Sequence, residues 1–312
     1  MIAQREAYGA GLVELGKANP NVAVLDADVS NSTRTLYFAK EFPGRFFNFG
    51  IAEQNMMAAA AGMAKGGLIP FVNTFSFLAT YRAADQLRTS IVYPKLNVKV
   101  AATYGGLSDS FDGPTHQSIA DVAMVRAMPN LTVVVPADAV EVAKALPVLA
   151  ELNGPVWLRL SRNPSPVIYN DDFQFTLGKA TVLREGTDLT LIGCGTISGR
   201  VLEAADLLGH EGLNPRVISI STLKPLDEEA ILSAARETGA IVTVEEHSIV
   251  GGLGAAVSEV VADQYPCPVK RVGIPDTFAD TGPYEELLDK FGLSVDNIVK
   301  AAKEALAMKE RR

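Results

Sequence analysis

The chain has 312 residues, of which 48% are hydrophobic and 21% charged, and its formal net charge is -8 at pH 7. This length exceeds the ~250–300 residues at which a single hydrophobic core stops growing, so two domains are expected. The acidic balance argues against nucleic acid and anionic membranes as main partners, because both require a basic surface.

The apolar runs are short, the longest lying at 58–64 and 131–135. Neither is long enough to cross a bilayer, and no basic-then-apolar leader precedes them, which favours a soluble, unprocessed chain. Two cysteines are too few for a disulfide framework or a cysteine-rich metal site. A cytoplasmic location is therefore expected.

Short β-rich runs alternate with helical patterns in the first half, as is typical of parallel sheets covered by helices. The predicted strands are 22–26, 46–49, 69–73, 97–103, 131–135 and 156–160. The predicted helices are 4–16, 52–64, 83–92, 119–128 and 139–152. This order predicts one doubly wound α/β domain, with 46–49 as a buried strand.

A second alternation follows a stretch at 161–172 whose composition is that of turns and linkers. Its predicted strands are 189–193, 216–220, 241–245 and 269–272. Its predicted helices are 202–209, 228–236, 255–263 and 295–307. We therefore predict two tandem doubly wound α/β domains, at 1–165 and 187–312, joined by a linker at 166–186.

One carboxylate, Glu53, lies at a predicted strand-to-helix junction within the run 50–56, GIAEQNM. A negative charge in a first helical turn is stabilising by ~0.3–1 kcal/mol, and this ordinary role is the simplest interpretation. However, ligands of open α/β sheets bind beyond the carboxyl ends of the strands, where Glu53 would lie. Glu53 is therefore a candidate functional acid.

Other polar residues also follow predicted strands, and the richest group is the loop 104–117. Its glycines permit close approach of the backbone to a ligand. Asp112 and His116 offer an acceptor and a titratable donor or acceptor four residues apart. A mobile connection that only turns the chain is the alternative interpretation of this loop.

These motifs resemble the thiamine-diphosphate-dependent transketolases. The resemblance rests on 50–56 and on 112–117, DGPTHQ, together with 25–33, LDADVSNST, and 244–254, VEEHSIVGGLG. It covers nearly the whole chain in family order, but only the last two domains of the family. It implies a pyrimidine-binding domain at 1–165 and a transketolase C-terminal domain at 187–312.

The family's earlier domain carries a Gly-Asp-Gly…Asn segment that grips the diphosphate through a divalent metal, and the sequence has no such segment. The resemblance therefore implies thiamine diphosphate with Mg²⁺ or Ca²⁺, whose ligands lie on a separate N-terminal subunit and not on this chain. It also implies a homodimer of this chain within an α2β2 heterotetramer.

The resemblance implies that Glu53 shares a proton with N1′ of the cofactor's aminopyrimidine ring, and that a two-carbon ketol unit passes from a ketose to an aldose. The implied cofactor-binding residues are Asp28, Glu53, Phe75, Leu78 and Tyr81. Leu78 stands where the family usually has a ring-stacking phenylalanine. Phe77 precedes it by one residue, which turns a side chain by ~100° on an α-helix.

The implied substrate-binding residues are Arg5, Ser32, Tyr104, Asp112, His116 and Arg162. Arg5, Ser32 and Arg162 match groups that hold the phosphate of a phosphosugar, as in the pentose phosphates. Asp112 and His116 match groups that bind sugar hydroxyls, and His116 is predicted to be catalytic with Glu53. Tyr104 replaces a histidine that contacts the phosphate in many transketolases, which indicates an unusual sugar or a different anionic end.

The segment 244–254 is expected to lie away from the reacting centre, with a structural hydrogen-bonding role for His247. Two other functions stay open. A β-type subunit of a 2-oxo-acid dehydrogenase would share the two domains and the glutamate, although the loop at 112–116 and Arg162 argue against it. A binding or regulatory α/β protein could keep the fold without the reaction.

Overall fold

A computed structural model describes residues 1–311. The strands are β1 Ile2–Ala3, β2 Val22–Asp26, β3 Phe46–Asn48, β4 Ile69–Phe75, β5 Lys99–Thr103, β6 Thr132–Val134, β7 Val156–Arg159, β8 Pro164–Ser165, β9 Thr181–Arg184, β10 Thr190–Cys194, β11 Arg216–Ser219, β12 Thr222–Lys224, β13 Ile241–Ser248 and β14 Val269–Ile274. The α-helices are α1 Gln4–Ala18, α2 Ser30–Thr33, α3 Leu36–Glu41, α4 Glu53–Lys65, α5 Asp121–Arg126, α6 Ala139–Glu151, α7 Ser198–His210, α8 Glu228–Glu237, α9 Leu253–Gln264, α10 Tyr284–Lys290 and α11 Val295–Glu310. Two π-helical segments, Leu78–Arg82 and Gln86–Val92, lie between β4 and β5.

The chain forms two large, mainly parallel sheets. The first has the order β12-β6-β7-β5-β4-β2-β3, and only β12 runs antiparallel to its neighbour. The second has the order β14-β13-β10-β11-β9, with β9 antiparallel. The predicted α/β class with two parallel sheets is confirmed. The limits 1–165 and 187–312 stay a prediction, and β12 shows that the second half also contributes a strand to the first sheet.

Alternate residues of β2 explain how the first sheet is covered on both faces. Val22 and Val24 pack in one cluster with Tyr8 of α1, whereas Ala23 and Leu25 pack in another with α4. Because side chains alternate across a strand, a continuous apolar strand can serve two layers of helices. All five residues of β2 are buried as a result.

Three local predictions were wrong or incomplete. The strand predicted as buried at 46–49 is the edge strand β3, and Phe47 and Asn48 are exposed because β2 is its only neighbour. The predicted helix at 83–92 is π-helical from residue 86. The short strands β1, β8, β9 and β12 and the short helices α2, α3 and α10 were not predicted. Within residues 1–311, the helices are too short or too polar to traverse a bilayer.

The start of α6 joins the two halves of the chain. Asp138 caps the helix by accepting a hydrogen bond from the Glu141 backbone N–H at 2.8 Å. Glu141 accepts one bond from the Ala137 backbone N–H and one from the Ser221 hydroxyl, both at 2.6 Å. Burial raises the pKa of Glu141 to about 7, although both hydrogen bonds oppose the shift.

This shift predicts a pH-dependent stability. A carboxyl with a folded-state pKa of about 7 and an ordinary value of 4.5 retains its proton in the folded chain after the unfolded chain has released it. Its contribution to stability therefore falls as the pH rises through that window. When the pH is raised from about 5 to about 8, the urea midpoint of Glu141→Gln should fall less than that of the parent protein. Glu151→Gln, at an exposed carboxyl of the same helix, should follow the parent, and a parallel response of Glu141→Gln would contradict the assignment.

Candidate functional site

Glu53 is the first residue of α4 and is only 1% exposed. Both of its carboxylate oxygens accept hydrogen bonds from Arg82 Nη1, at 3.1 and 3.0 Å. Arg82 ends the first π-helical segment, and its side chain is 45% exposed. The candidate acid is thus buried beneath a guanidinium group that reaches solvent.

Aromatic side chains lie in and just before the same π-helical segment. The Phe77 ring centroid lies 5.3 Å from that of Tyr81 and 6.3 Å from that of His116. Leu78 is buried, whereas Phe77 is half-buried and Tyr81 exposed. The ~100° step expected between neighbouring side chains assumed an α-helix, and a π-helix has more residues per turn. We call Glu53, Arg82, Phe77, Tyr81 and His116 the acid cluster.

A second cluster surrounds Tyr104. Arg5 Nη1 donates hydrogen bonds to the Tyr104 hydroxyl at 3.1 Å and to the Ser32 carbonyl at 3.3 Å. The guanidinium carbon of Arg162 lies 5.1 Å from the centroid of the Tyr104 ring, and Phe75 stacks on that ring at 4.3 Å. Tyr104 has a φ of +62°, and such strained backbone is common at functional sites. We call these five residues the arginine cluster.

Arg162 is also paired with an acid that the sequence did not point to. Its Nη1 donates to Asp109 Oδ1 at 3.1 Å. Burial raises the pKa of Asp109 to about 7, and the neighbouring Asp112 carboxyl adds to the shift. The side chain of Asp109 is fully buried, whereas Asp112 is exposed. Arg162 therefore pairs with Asp109 on its buried side, and the rest of its guanidinium group faces the open side of the cluster.

The loop after β2 is held by two residues that sequence reasoning missed. Asp28 is exposed, and its carboxylate accepts a 2.9 Å hydrogen bond from Asn48. Beneath it, the buried Asp26 accepts bonds from the Val29 N–H at 2.6 Å and from the Thr35 hydroxyl at 2.8 Å. An acid that ends a buried strand is a signal that could have identified Asp26, because buried carboxylates require donors.

The second half of the chain contacts the loop that follows β5, and the expectation that 244–254 lies away from the reacting centre stays a prediction. Glu246 Oε1 accepts a 2.7 Å hydrogen bond from the Leu107 backbone N–H, in the loop predicted to bind sugar. His247 has a structural role, since its Nδ1 lies 2.8 Å from the Ser248 carbonyl and its Nε2 accepts from the Ala123 N–H.

The two clusters share one edge of the first sheet, because β2, β3, β4, β5 and β7 are parallel and their carboxyl ends meet there. A buried carboxyl and aromatic rings at one edge of a sheet suit a flat nitrogen heterocycle, and two guanidinium groups suit an oxyanion. Among the residues that the structure describes, no group of three or more His, Cys, Asp or Glu side chains could hold a metal ion.

Comparisons with known proteins identify the family. The family model for the transketolase pyrimidine binding domain matches residues 1–166, and that for the transketolase C-terminal domain matches residues 178–298. The chain is 39% identical to a 6-deoxy-6-sulfo-D-fructose transketolase subunit of a Clostridium species, over 99% of this chain and 96% of the relative. It is 38% identical to an apulose-4-phosphate transketolase subunit of Phocaeicola vulgatus, over 97% of each chain.

A solved structure of a split-gene transketolase, described as an inactive β4 tetramer, superposes with a TM-score of 0.91 at 49% identity and covers 99% of both chains. Against the human transketolase, which is 39% identical, the chain aligns with 49% of the length. The chain belongs to the transketolase family, and it comprises the family's pyrimidine-binding and C-terminal domains.

Proposed function

We propose that this chain is one subunit of a two-chain, thiamine-diphosphate-dependent transketolase, which transfers a two-carbon ketol unit from a ketose with an anionic end to an aldose. The observation that carries the proposal is the buried Glu53 carboxyl at the carboxyl edge of the first sheet, whose partner Arg82 directly follows Tyr81 in the π-helical segment. The cofactor supplies the carbon nucleophile that takes up the ketol unit.

The residues of the acid cluster fit the aminopyrimidine end of that cofactor. Glu53 offers a carboxyl group to a ring nitrogen, and Phe77 and Tyr81 offer aromatic faces for stacking. We assign to Phe77 the ring contact that the sequence assigned to Leu78, because Leu78 is buried while Phe77 lies beside Tyr81 and His116.

The diphosphate end requires a partner. Residues 1–311 contain no metal-holding group, and the chain aligns with about half of the human enzyme. We propose that a separate N-terminal subunit holds the diphosphate and the Mg²⁺ or Ca²⁺ ion. We also propose that two copies of this chain pair within an α2β2 assembly. The exposed edge of β3 and the exposed small residues Ala58 and Gly62 of α4 would allow close packing there.

Glu53 must exchange its partner to take part in proton transfer. In the free chain, Arg82 donates hydrogen bonds to both carboxylate oxygens. Sharing a proton with a ring nitrogen requires that at least one oxygen be released. Since the Arg82 side chain is 45% exposed, it can turn towards solvent without unfolding the π-helical segment.

The arginine cluster supports an anionic sugar. Arg5 contacts the Tyr104 hydroxyl, and Arg162 lies over the Tyr104 ring. Both guanidinium groups keep further N–H donors that a terminal oxyanion can use. Phosphate is the anion we propose, while the Clostridium relative is named for a sulfonated sugar. Asp112 and His116 are exposed and half-buried in the loop that follows Tyr104, which suits contacts with sugar hydroxyls.

Substitution of Glu53 tests its catalytic role. In the complex reconstituted with its N-terminal partner, Glu53→Gln should lower ketol transfer by about 100-fold or more, because proton transfer by a positioned acid contributes that much. Glu229→Gln, at an exposed carboxyl in the first turn of α8, should retain the activity. Ketol transfer that survives in Glu53→Gln would remove the catalytic assignment, and turnover of pyruvate in place of xylulose phosphate would favour the 2-oxo-acid reaction.

The ion pair between Glu53 and Arg82 can be tested in the free chain. Arg82→Met should lower the free energy of unfolding at neutral pH by about 1–3 kcal/mol, because the buried carboxylate loses its charged partner. Adding Glu53→Gln should restore most of that loss, which urea denaturation of the double-mutant cycle measures. Arg88→Met, at an exposed position of the second π-helical segment, serves as the control. Additive effects of the two substitutions would mean that the pair does not stabilise the chain.

Substitution of Arg5 tests whether the cluster binds an anionic end of the sugar. Arg5→Met should raise KM for a phosphorylated ketose by about 10-fold or more, because a charge-assisted hydrogen bond is lost. Turnover of erythrulose, a neutral ketose, should not change and provides the internal control. An equal loss for both ketoses would show that Arg5 supports the fold of the site and not the anion. A preference for a sulfonated over a phosphorylated ketose would correct the proposed anion.

A further inference from the structure

We propose that the second half of the chain holds the sugar-binding loop in its working conformation, and that Glu246 is the positioning residue through which it does so. We call residues 105–117 the sugar loop. The inference rests on the proposed function, because that function assigns Asp112 and His116 of this loop to the substrate. It gives the C-terminal domain a part in substrate binding without any direct contact to the sugar.

One oxygen of Glu246 bonds across the boundary between the two halves, and the other is held within the second half. Oε1 accepts from the Leu107 backbone N–H, and Oε2 accepts from the Tyr284 hydroxyl, each at 2.7 Å. The residue is 4% exposed, so these bonds compensate a nearly complete loss of water. A hydrogen bond from a backbone N–H to an ionised carboxylate is among the stronger ones in proteins.

Gly106 is what allows this carboxylate to come so close. A Cβ built at Gly106 would lie 2.3 Å from Glu246 Oε1, a distance that real Cβ atoms do not show. Gly106 also has a φ of +66°, which residues with a Cβ adopt at a cost. The loop backbone therefore leaves room for the Glu246 carboxylate, and the contact depends on the absence of a Cβ at Gly106.

Two further hydrogen bonds tie the sugar loop to the same half of the chain. The Gly282 N–H donates to the Ser110 carbonyl at 3.2 Å, and the Gln117 amide donates to the Asp280 carbonyl at 2.8 Å. Together with the Glu246 contact they anchor the loop near its start, its middle and its end. The stretch at 112–116 between these anchors carries the residues assigned to the sugar.

The loop has hydrogen bonds of its own, such as that from the His116 N–H to the Gly113 carbonyl, and the anchors to the second half add to them. The loop includes Gly105, Gly106 and Gly113, and glycine has the largest conformational freedom of any residue. A loop that is ordered before the substrate arrives does not consume binding free energy in ordering. Releasing the Glu246 anchor should therefore weaken sugar binding while the ion pair of Glu53 with Arg82 stays intact.

The neighbouring Glu245 provides a matched control. It lies on the same strand, β13, and is 3% exposed. Its oxygens accept hydrogen bonds from the backbone N–H groups of Leu253 and Gly254, at 2.7 and 2.8 Å, and so cap α9 within the second half. Glu245→Gln removes a buried charge from the same strand without touching the sugar loop.

The experiment compares Glu246→Gln, Tyr284→Phe and Glu245→Gln in the complex with the N-terminal subunit. The first two should raise KM for the ketose by about tenfold, whereas the dissociation constant of thiamine diphosphate, followed by circular dichroism, should change by less than about twofold. Glu245→Gln should lower the thermal midpoint and leave KM unchanged. An equal rise of KM in the Glu245 and Glu246 variants would overturn the proposal, because it would reflect general destabilisation.

Hydrogen–deuterium exchange of this chain supplies a readout that does not depend on activity. Peptides that span 105–117 should exchange faster in Glu246→Gln and in Tyr284→Phe than in the parent or in Glu245→Gln. Tyr284→Phe keeps the aromatic ring, so it tests the anchor even where Glu246→Gln does not fold. Unchanged exchange in this loop would refute the anchoring. Faster exchange in a complex whose parent form shows no ketol transfer would refute the proposed function and leave the anchoring in place.

Discussion

The site is governed by the need of a buried carboxylate for a partner. Glu53 is almost fully buried at the start of α4, and the helix N-terminus alone offers only a weak favourable interaction. Arg82 completes the compensation by binding both oxygens. Arg82 belongs to the π-helical segment that also carries Tyr81 and follows Phe77, so one stretch of chain carries both the partner of the acid and the aromatic rings. Stability of the free chain and the placement of these groups are therefore coupled.

Buried acids also hold the two halves of the chain together. Glu141 of α6 accepts a hydrogen bond from Ser221, and Glu246 of β13 accepts one from Leu107. The strand β12 adds backbone pairing, with Thr222 opposite Val134. Burial raises the pKa of both glutamates, which means that each interaction is sensitive to pH as well as to sequence. The second half is thus an integral part of the first sheet and of the loop that follows β5.

Sequence patterns predicted the features that depend on local order. Apolar runs located β2, β4 and β5, and the charge at a strand-to-helix junction located Glu53 at the first turn of α4. The features that escaped depend on partners distant in the chain. β12 is three residues long and forms because β6 lies beside it. Glu246 and Glu245 are neighbours in sequence, but Glu246 accepts a hydrogen bond from Leu107 and Glu245 accepts one from Leu253. The π-helical segments escaped because periodicity at 3.6 residues assumes α-helical geometry.

The two clusters differ in how ready they are in the free chain. In the arginine cluster, Arg5 is fixed by Tyr104 and Ser32, and only Arg162 has a competing acid, Asp109. In the acid cluster, by contrast, Arg82 occupies both oxygens that the proposed chemistry requires. An anion can therefore find its donors in place, whereas a ring nitrogen must displace a guanidinium. This difference gives a physical reason for the final arrangement of the Glu53 carboxyl to require the proposed cofactor.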